Sequence, residues 1–156
     1  MPQNSRAKVY LAGPLFSAAE LAFNLLLTKQ LEELVDVYLP QRDGRLMSKM
    51  VAEGMEPGVA ACCVFKRDID AILECDCLIV ILDGRTIDEG VAFELGVAFS
   101  AKKRCFAIQT DSRRLAIWGN NPMITGALEV LFHSVDDLVA WFNNQQNGAK
   151  NNFARK

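Results

Sequence analysis

The run CLIVILD, from Cys77 to Asp83, constrains the architecture of this chain most strongly. It is a continuous apolar, β-branched stretch of the kind buried on both faces of a parallel sheet, and Asp83 closes its C-terminal end. Parallel strands need crossovers, so helices and strands should alternate around it. AKVYLAGPLFS opens with a short β-rich run that stops at Gly13-Pro14. SAAELAFNLLLTKQLEELV follows as a helix, with Ser17 and Glu20 at capping-box spacing and Phe23, Leu27, Leu31 and Leu34 at helical intervals. DVYLP reads as a second strand closed by Pro40, QRDGRL as a loop, and Leu46 to Pro57 as either a short helix or a lid. Val59 to Glu74 has a helical pattern, and CLIVILD is the third strand. DEGVAFELGVAFSAKK is a helix whose closing lysines suit the negative end of its dipole. RCFAIQT, LEVLFH and SVDDLVAWFNN complete the run as two strands and a last helix. Residues 1–145 are expected to form one α/β domain, and 146–156, polar with only Phe153 to tether it, a loose tail.

Composition narrows the functional classes. A net charge of −2 over 156 residues leaves no concentrated basic excess of the kind that a phosphate backbone requires. Nucleic acid is thereby disfavoured, and a nucleoside is not. No stretch approaches the roughly 20 apolar residues of a membrane span, and MPQNSRAKVY contains no apolar run of signal-peptide length. The expectation is a soluble, cytoplasmic protein with no membrane association. Cys62, Cys63, Cys75, Cys77 and Cys105 lie in apolar settings without zinc-site spacing, which reads as reduced packing thiols, with no metal and no cofactor. With His133 the single histidine, Ser-His-Asp and Cys-His catalysis are nearly excluded.

In a doubly wound parallel sheet, ligands bind beyond the carboxyl ends of the strands, near the point where strand order reverses. That selects AGPLFS, PQRDG and DGRTIDEG, and with them Gly13, Asp83 and Gly84. DEGVAFELG follows directly. On a helix starting near Asp88, Val91, Leu95, Ala98 and Phe99 form a core stripe, while Glu94 has Gly90 and Ala98 one turn to either side. Small neighbours give a ligand atom room to approach a carboxylate. The ordinary alternative is a glutamate paired with a nearby cation or solvated at the stripe's edge.

VYLAGPLF, DIDAILECDCLIVILDG, DEGVAFELG and AKKRCFAIQTD together closely resemble the nucleoside 2-deoxyribosyltransferase family, over roughly residues 8 to 125. The resemblance implies a flavodoxin-like or Rossmann-like three-layer sandwich with a central, mostly parallel five-stranded sheet. It also implies transfer of a 2-deoxyribosyl group between nucleobases through a covalent glycosyl ester, with deoxynucleosides and nucleobases as partners. The family's nucleophile falls on Glu94, its two aspartates on Asp88 and Asp68, the orienting tyrosine on Tyr10 and a loop aromatic on Phe16. Gln41 and Asp43 are candidates for contacts to the base, and Asn120 and Asn121 of WGNNPM for a segment reaching into a neighbouring subunit of a homo-oligomer. Neither pair aligns cleanly with the family pattern.

A carboxylate beneath C1′ can stabilise an oxocarbenium-like centre and bond to it, which gives retention. Glu94 is expected to be ionised, from an ordinary pKa of about 4.3, unless burial raises it strongly. Asp68 or Asp88 would supply the proton to the leaving base, and the sequence does not rank them. Each has an ordinary role open to it, Asp88 as a helix N-cap and Asp68 as a solvated helix residue. A hydrolase using the same residues is the close alternative, and a non-catalytic nucleotide-binding module the distant one, since neither a Walker A run nor G-x-G-x-x-G is present. The first loop contains no arginine, which favours free nucleosides over 5′-phosphates.

Overall fold

All five residues of β3 (Cys77–Ile81) are buried, as the apolar run requires, and the strand lies at the centre of a five-stranded sheet. The computed structural model describes residues 6–113 and 119–147. Strands β1 (Lys8–Ala12), β2 (Asp36–Tyr38), β3, β4 (Arg104–Ile108) and β5 (Val130–Phe132) run in the order β2-β1-β3-β4-β5. Every pairing is parallel, including the edges. Helices α1 (Ala18–Leu31), α2 (Pro40–Asp43), α3 (Met47–Ala52), α4 (Pro57–Glu74), α5 (Glu89–Ser100), α6 (Pro122–Thr125) and α7 (Val135–Asn147) connect and cover them. Trp118 and the tail from residue 148, Phe153 included, lie outside the described residues.

Alternation along the strands divides the core. Val9, Leu11, Ile79, Ile81 and Phe106 face α1 and α7, where Leu27, Leu31, Leu138 and Phe142 meet them. Tyr10, Ala12, Leu78, Val80 and Ala107 face α4 and α5, against Ile72, Val91, Leu95 and Ala98. Each large aliphatic chain so buried contributes roughly 1.5–3 kcal/mol. Strand order reverses between β1 and β3, so the loops after these two strands flank the crevice where ligands bind in such sheets.

Three local expectations change, and one left open is resolved. QRDGRL is not all loop, because Pro40 starts α2 and the Asp43 carboxylate reaches back to accept from the Leu39 N–H at 2.8 Å. Gly44 ends that helix where a Cβ would lie 2.4 Å from the Pro40 carbonyl oxygen. Leu46 to Pro57 contains the short helix α3. Phe99 leaves the α5 core stripe and is 42% exposed, whereas Val91, Leu95 and Ala98 are buried as expected. The closing lysines lie beyond α5: Lys102 takes a left-handed φ of 62°, and Lys103 Nζ donates to the Leu73 and Cys75 carbonyls at the end of α4. Its charge therefore serves the neighbouring helix. The Ser17/Glu20 capping box forms as the spacing predicts.

Candidate active site

Tyr10 and Glu94, 84 residues apart, are joined by a hydrogen bond in which Tyr10 Oη donates to Glu94 Oε1 at 2.5 Å. Strand alternation turns Tyr10 toward α5, and Asp88 fixes the start of that helix by accepting from the Val91 N–H at 3.0 Å. Glu94 stands on the second turn and points at the sheet. Burial raises its pKa to about 7, the negative charges of Asp68 and Asp88 add to the rise, and the Tyr10 hydrogen bond opposes it. The exception attached to an ordinary ionised carboxylate, strong burial, is thus the case that holds. Burial, reinforced by Glu94, holds the Tyr10 hydroxyl far above the usual phenol range, so it serves as a donor.

Tyr38 stands opposite Tyr10 in register, its ring stacked at 5.3 Å and 19°. Its hydroxyl donates to Asp68 Oδ1 at 3.4 Å, a long bond, while the Arg67 guanidinium lies 5.5 Å above its ring. Burial raises the Asp68 carboxyl, and Tyr38 and Arg67 restrain the rise. Tyr10, Tyr38, Asp68 and Glu94 thus form two tyrosine–carboxyl pairs on the α4/α5 side of the sheet. Asp88 is coupled to them electrostatically and also holds the N-cap role. Neither Tyr38 nor Arg67 stood out in the sequence. The signal was present in DVYLP, since a tyrosine paired in register with Tyr10 must share its face, but register becomes known only once strands pair.

The other expected contacts divide. A Cβ at Gly13 would lie 2.8 Å from Ile81 Cδ1 and 3.1 Å from Asn24 Oδ1, so this glycine lets the first loop pass close to β3 and α1. Phe16 is 79% exposed at the tip of that loop. A Cβ at Gly90 would lie 3.1 Å from Asp88 Oδ1, so its smallness serves the aspartate. Gln41 is committed at both ends, accepting from Asn24 Nδ2 at 2.9 Å and donating to the Leu21 carbonyl at 3.0 Å. Asn24, also missed in the sequence, donates to the Pro14 carbonyl as well and so clamps the loops after β1 and β2 together. Asp43 is held by Arg42 and the Leu39 N–H. Neither Gln41 nor Asp43 contacts the carboxyl cluster.

Asp83 accepts from the Thr110 N–H, the Thr110 hydroxyl and the Asp111 N–H at 2.6, 2.6 and 2.8 Å, pinning the loop after β4 to the loop after β3. Gly84 follows with a φ of 108°, a conformation that favours glycine. Asn120 Nδ2 donates to Gln109 Oε1 at 2.7 Å, and Asn121 caps α6 by accepting from the Met123 N–H at 2.9 Å. Gly84, Asn120 and Asn121, with Leu82, Ile87 and Ile124, line a mostly apolar cavity of about 560 Å³. Tyr10, Asp68 and Glu94 are not in its walls. The loop from Gly84 to Asp88 links the two regions, lining the cavity at Ile87 and capping α5 at Asp88.

Among the described residues no cluster of histidine, cysteine and acidic side chains is disposed to hold a metal ion. None of the five cysteines is in a disulfide, and burial raises Cys75 to about 11. His133 Nδ1 lies 3.3 Å from the Gln109 carbonyl oxygen. No helix among the described residues is long and apolar enough to cross a membrane.

A conserved protein from Enterococcus faecalis V583 has a solved structure similar to this one, with 29% identity and a TM-score of 0.67 over 90% of this chain and 99% of the other. The 2-deoxyribosyltransferase of the psychrotolerant bacterium Bacillus psychrosaccharolyticus is similar at 27% identity and a TM-score of 0.71, over 85% and 90% of the two chains. The CMP N-glycosidase of Clostridium botulinum, at 19% identity and a TM-score of 0.53 over 87% and 98%, shares the fold. No curated protein is similar enough in sequence to match. The family model for nucleoside 2-deoxyribosyltransferase matches residues 9–152, a span that takes in both carboxyl-bearing helices and all of the sheet but Lys8. This chain therefore belongs to the nucleoside 2-deoxyribosyltransferase family and is a pentosyltransferase.

Proposed function

We propose that the protein exchanges the nucleobase of 2-deoxynucleosides through a covalent ester on Glu94. The observation that carries this reading is the 2.5 Å hydrogen bond from Tyr10 to Glu94, which engages one carboxylate oxygen and leaves the other for C1′. Glu94, poised near neutrality, attacks C1′ as the N-glycosidic bond breaks, and the bonding pair leaves with the base. Asp68, its carboxyl raised by burial, gives the base its proton. The acceptor base then returns a proton to Asp68 and displaces Glu94, restoring the starting configuration. Asp88 is the less suited acid, because it already accepts the Val91 N–H.

The remaining contacts follow from position. Phe16 is free to cover a sugar or base, while Gly84, Asn120 and Asn121 border the adjoining cavity. Gln41 and Asp43 hold the second loop in place and would act on the base only through it. In this reading the enzyme is a cytoplasmic homo-oligomer whose Asn120–Asn121 segment approaches a neighbouring copy; five cysteines with no disulfide among them suit a reducing compartment. The decisive experiment incubates the protein with deoxyinosine or thymidine, with and without adenine, and separates the products. Formation of deoxyadenosine supports base exchange. Release of deoxyribose at one rate with or without acceptor would instead establish a hydrolase.

A further inference from the structure

Asp68, Glu94 and the mostly apolar cavity of about 560 Å³ follow one another across one face of the sheet. Tyr38 of β2 reaches Asp68, Tyr10 of β1 reaches Glu94, and the cavity opens past the ends of β3 and β4, at Leu82 and Gln109. Leu82, Ile87 and Ile124 of its wall pack into the same core as Tyr10, on the α4/α5 side. Ile87 directly precedes Asp88, the cap of the helix that carries Glu94. The cavity therefore adjoins the carboxyl cluster on the side away from Asp68.

This order sets the direction in which a nucleoside lies. With Asp68 as the acid and Glu94 beneath C1′, the base occupies the β2 side. C5′ leaves the sugar on the far side of the ring oxygen from the base, so it points toward β3, β4 and the cavity. A plain deoxynucleoside ends there in one hydroxyl, which fills little of 560 Å³. We propose that the cavity is a subsite for an apolar substituent at C5′, and that the enzyme takes 2-deoxynucleosides bearing a 5′-alkylthio group as well as plain ones. The subsite rests on the roles proposed for Glu94 and Asp68, because they fix which end of the sugar faces it.

The chemistry of the wall selects an apolar group over a phosphate. Arg85 is the one charged residue among the described residues of the lining, and it is exposed at the mouth, where water already solvates it. The polar groups farther in are spent on protein: Asn120 Nδ2 donates to Gln109 Oε1 at 2.7 Å, and Gln109 Nε2 donates to the Leu82 carbonyl at 3.0 Å. The start of α5 is closed by the Asp88 carboxylate, which accepts from the Val91 N–H, and Glu89 follows in the first turn. A 5′-phosphate would thus bring its charge among Leu82, Ile87 and Ile124 and beside Asp88, with no converging set of donors to replace its water. An alkyl chain carries no such cost. Each methylene that it buries should strengthen binding by about fourfold.

Exchange of thymine for adenine tests the subsite, with thymidine, its 5′-methylthio and 5′-propylthio derivatives and thymidine 5′-monophosphate as donors. From methylthio to propylthio, kcat/KM should rise by up to about fourfold per methylene, through a falling KM. The monophosphate should react on the order of a hundredfold less efficiently than thymidine. Thr86→Trp, on the exposed rim, and Ile124→Phe, in the wall, should each lower the ratio of propylthio to thymidine kcat/KM by about tenfold, with circular dichroism confirming the fold. A ratio cancels any general loss of activity in a variant. If thymidine exchanges but propylthio is no better than methylthio, or the monophosphate is preferred, or neither variant moves the ratio, the subsite is overturned and base exchange stands. No exchange with thymidine itself overturns both.

Discussion

Tyr10 and Tyr38 stand in register on neighbouring strands with their rings stacked, and their hydroxyls reach carboxyl groups on two different helices, Glu94 on α5 and Asp68 on α4. The two helices that cover one face of the sheet are thereby held to it by polar contacts at the place where the charge of Asp68 raises the pKa of Glu94.

Glu94→Ala should leave the fold intact, since alanine suits a helix, and should lower the rate of base exchange about a thousandfold, on the order of 4 kcal/mol or more in transition-state stabilisation. Steady-state kinetics with chromatographic product analysis checks this. A 2-fluoro-2-deoxyarabinosyl nucleoside should add a sugar-sized mass to the parent protein, and peptide mapping should place it on Glu94; an adduct on Asp68, Asp88 or a cysteine would refute the assigned nucleophile.

Stability should vary with pH through the same residue. A carboxyl raised to about 7 holds its proton more tightly folded than unfolded, so its contribution is greatest below the unfolded value of about 4.3 and is lost as pH rises through 7. Glu94→Gln removes that penalty. Relative to the parent it should gain stability near pH 8, by roughly 2 kcal/mol after allowance for partial exposure, and gain little near pH 5. Thermal unfolding at both pH values decides it.

Removing each tyrosine hydroxyl should move a different limb of the pH–rate profile. Tyr10→Phe deletes the bond that restrains Glu94, so the limb governed by Glu94 should shift to higher pH and kcat should fall by roughly tenfold or more. Tyr38→Phe deletes a longer bond to Asp68, so the limb governed by Asp68 should shift upward by less, with the Glu94 limb unmoved. If both substitutions moved the same limb, the pairing of roles would be wrong.

Asp83→Ala releases three hydrogen bonds between the loops after β3 and β4. Bonds to a charged acceptor are the stronger kind, and a loss of about 2 kcal/mol is expected, read as a lower urea midpoint at unchanged slope.

Much of this architecture was legible because burial imposes a period. CLIVILD had to be a central strand, and the Ser17/Glu20 cap and the Leu27, Leu31 stripe had to be a helix. Phe99 escaped because a stripe drawn from apolarity alone does not distinguish a side chain facing the sheet from one facing outward. α2 escaped because Arg42 and Asp43 look like loop residues until Asp43 is seen closing on the Leu39 N–H. At the site, the resemblance pointed to Glu94, Tyr10 and Asp68, and the structure brings them together with Tyr38. Gln41 shows the opposite limit. An amide in a candidate loop looks available for a base, yet both its ends are satisfied by Asn24 and Leu21, contacts made across 17 and 20 residues of sequence.

The register of β1 against β2 has a consequence for folding. Side chains alternate across a strand, so a slip of one residue would send Tyr38 to the α1/α7 side and leave Asp68 without its donor, although most of the apolar core could still collapse. A misthreaded edge strand would therefore show itself first in chemistry and only later in compactness. For refolding preparations of this enzyme, recovered turnover is the stricter assay of a correctly threaded sheet than recovered circular dichroism.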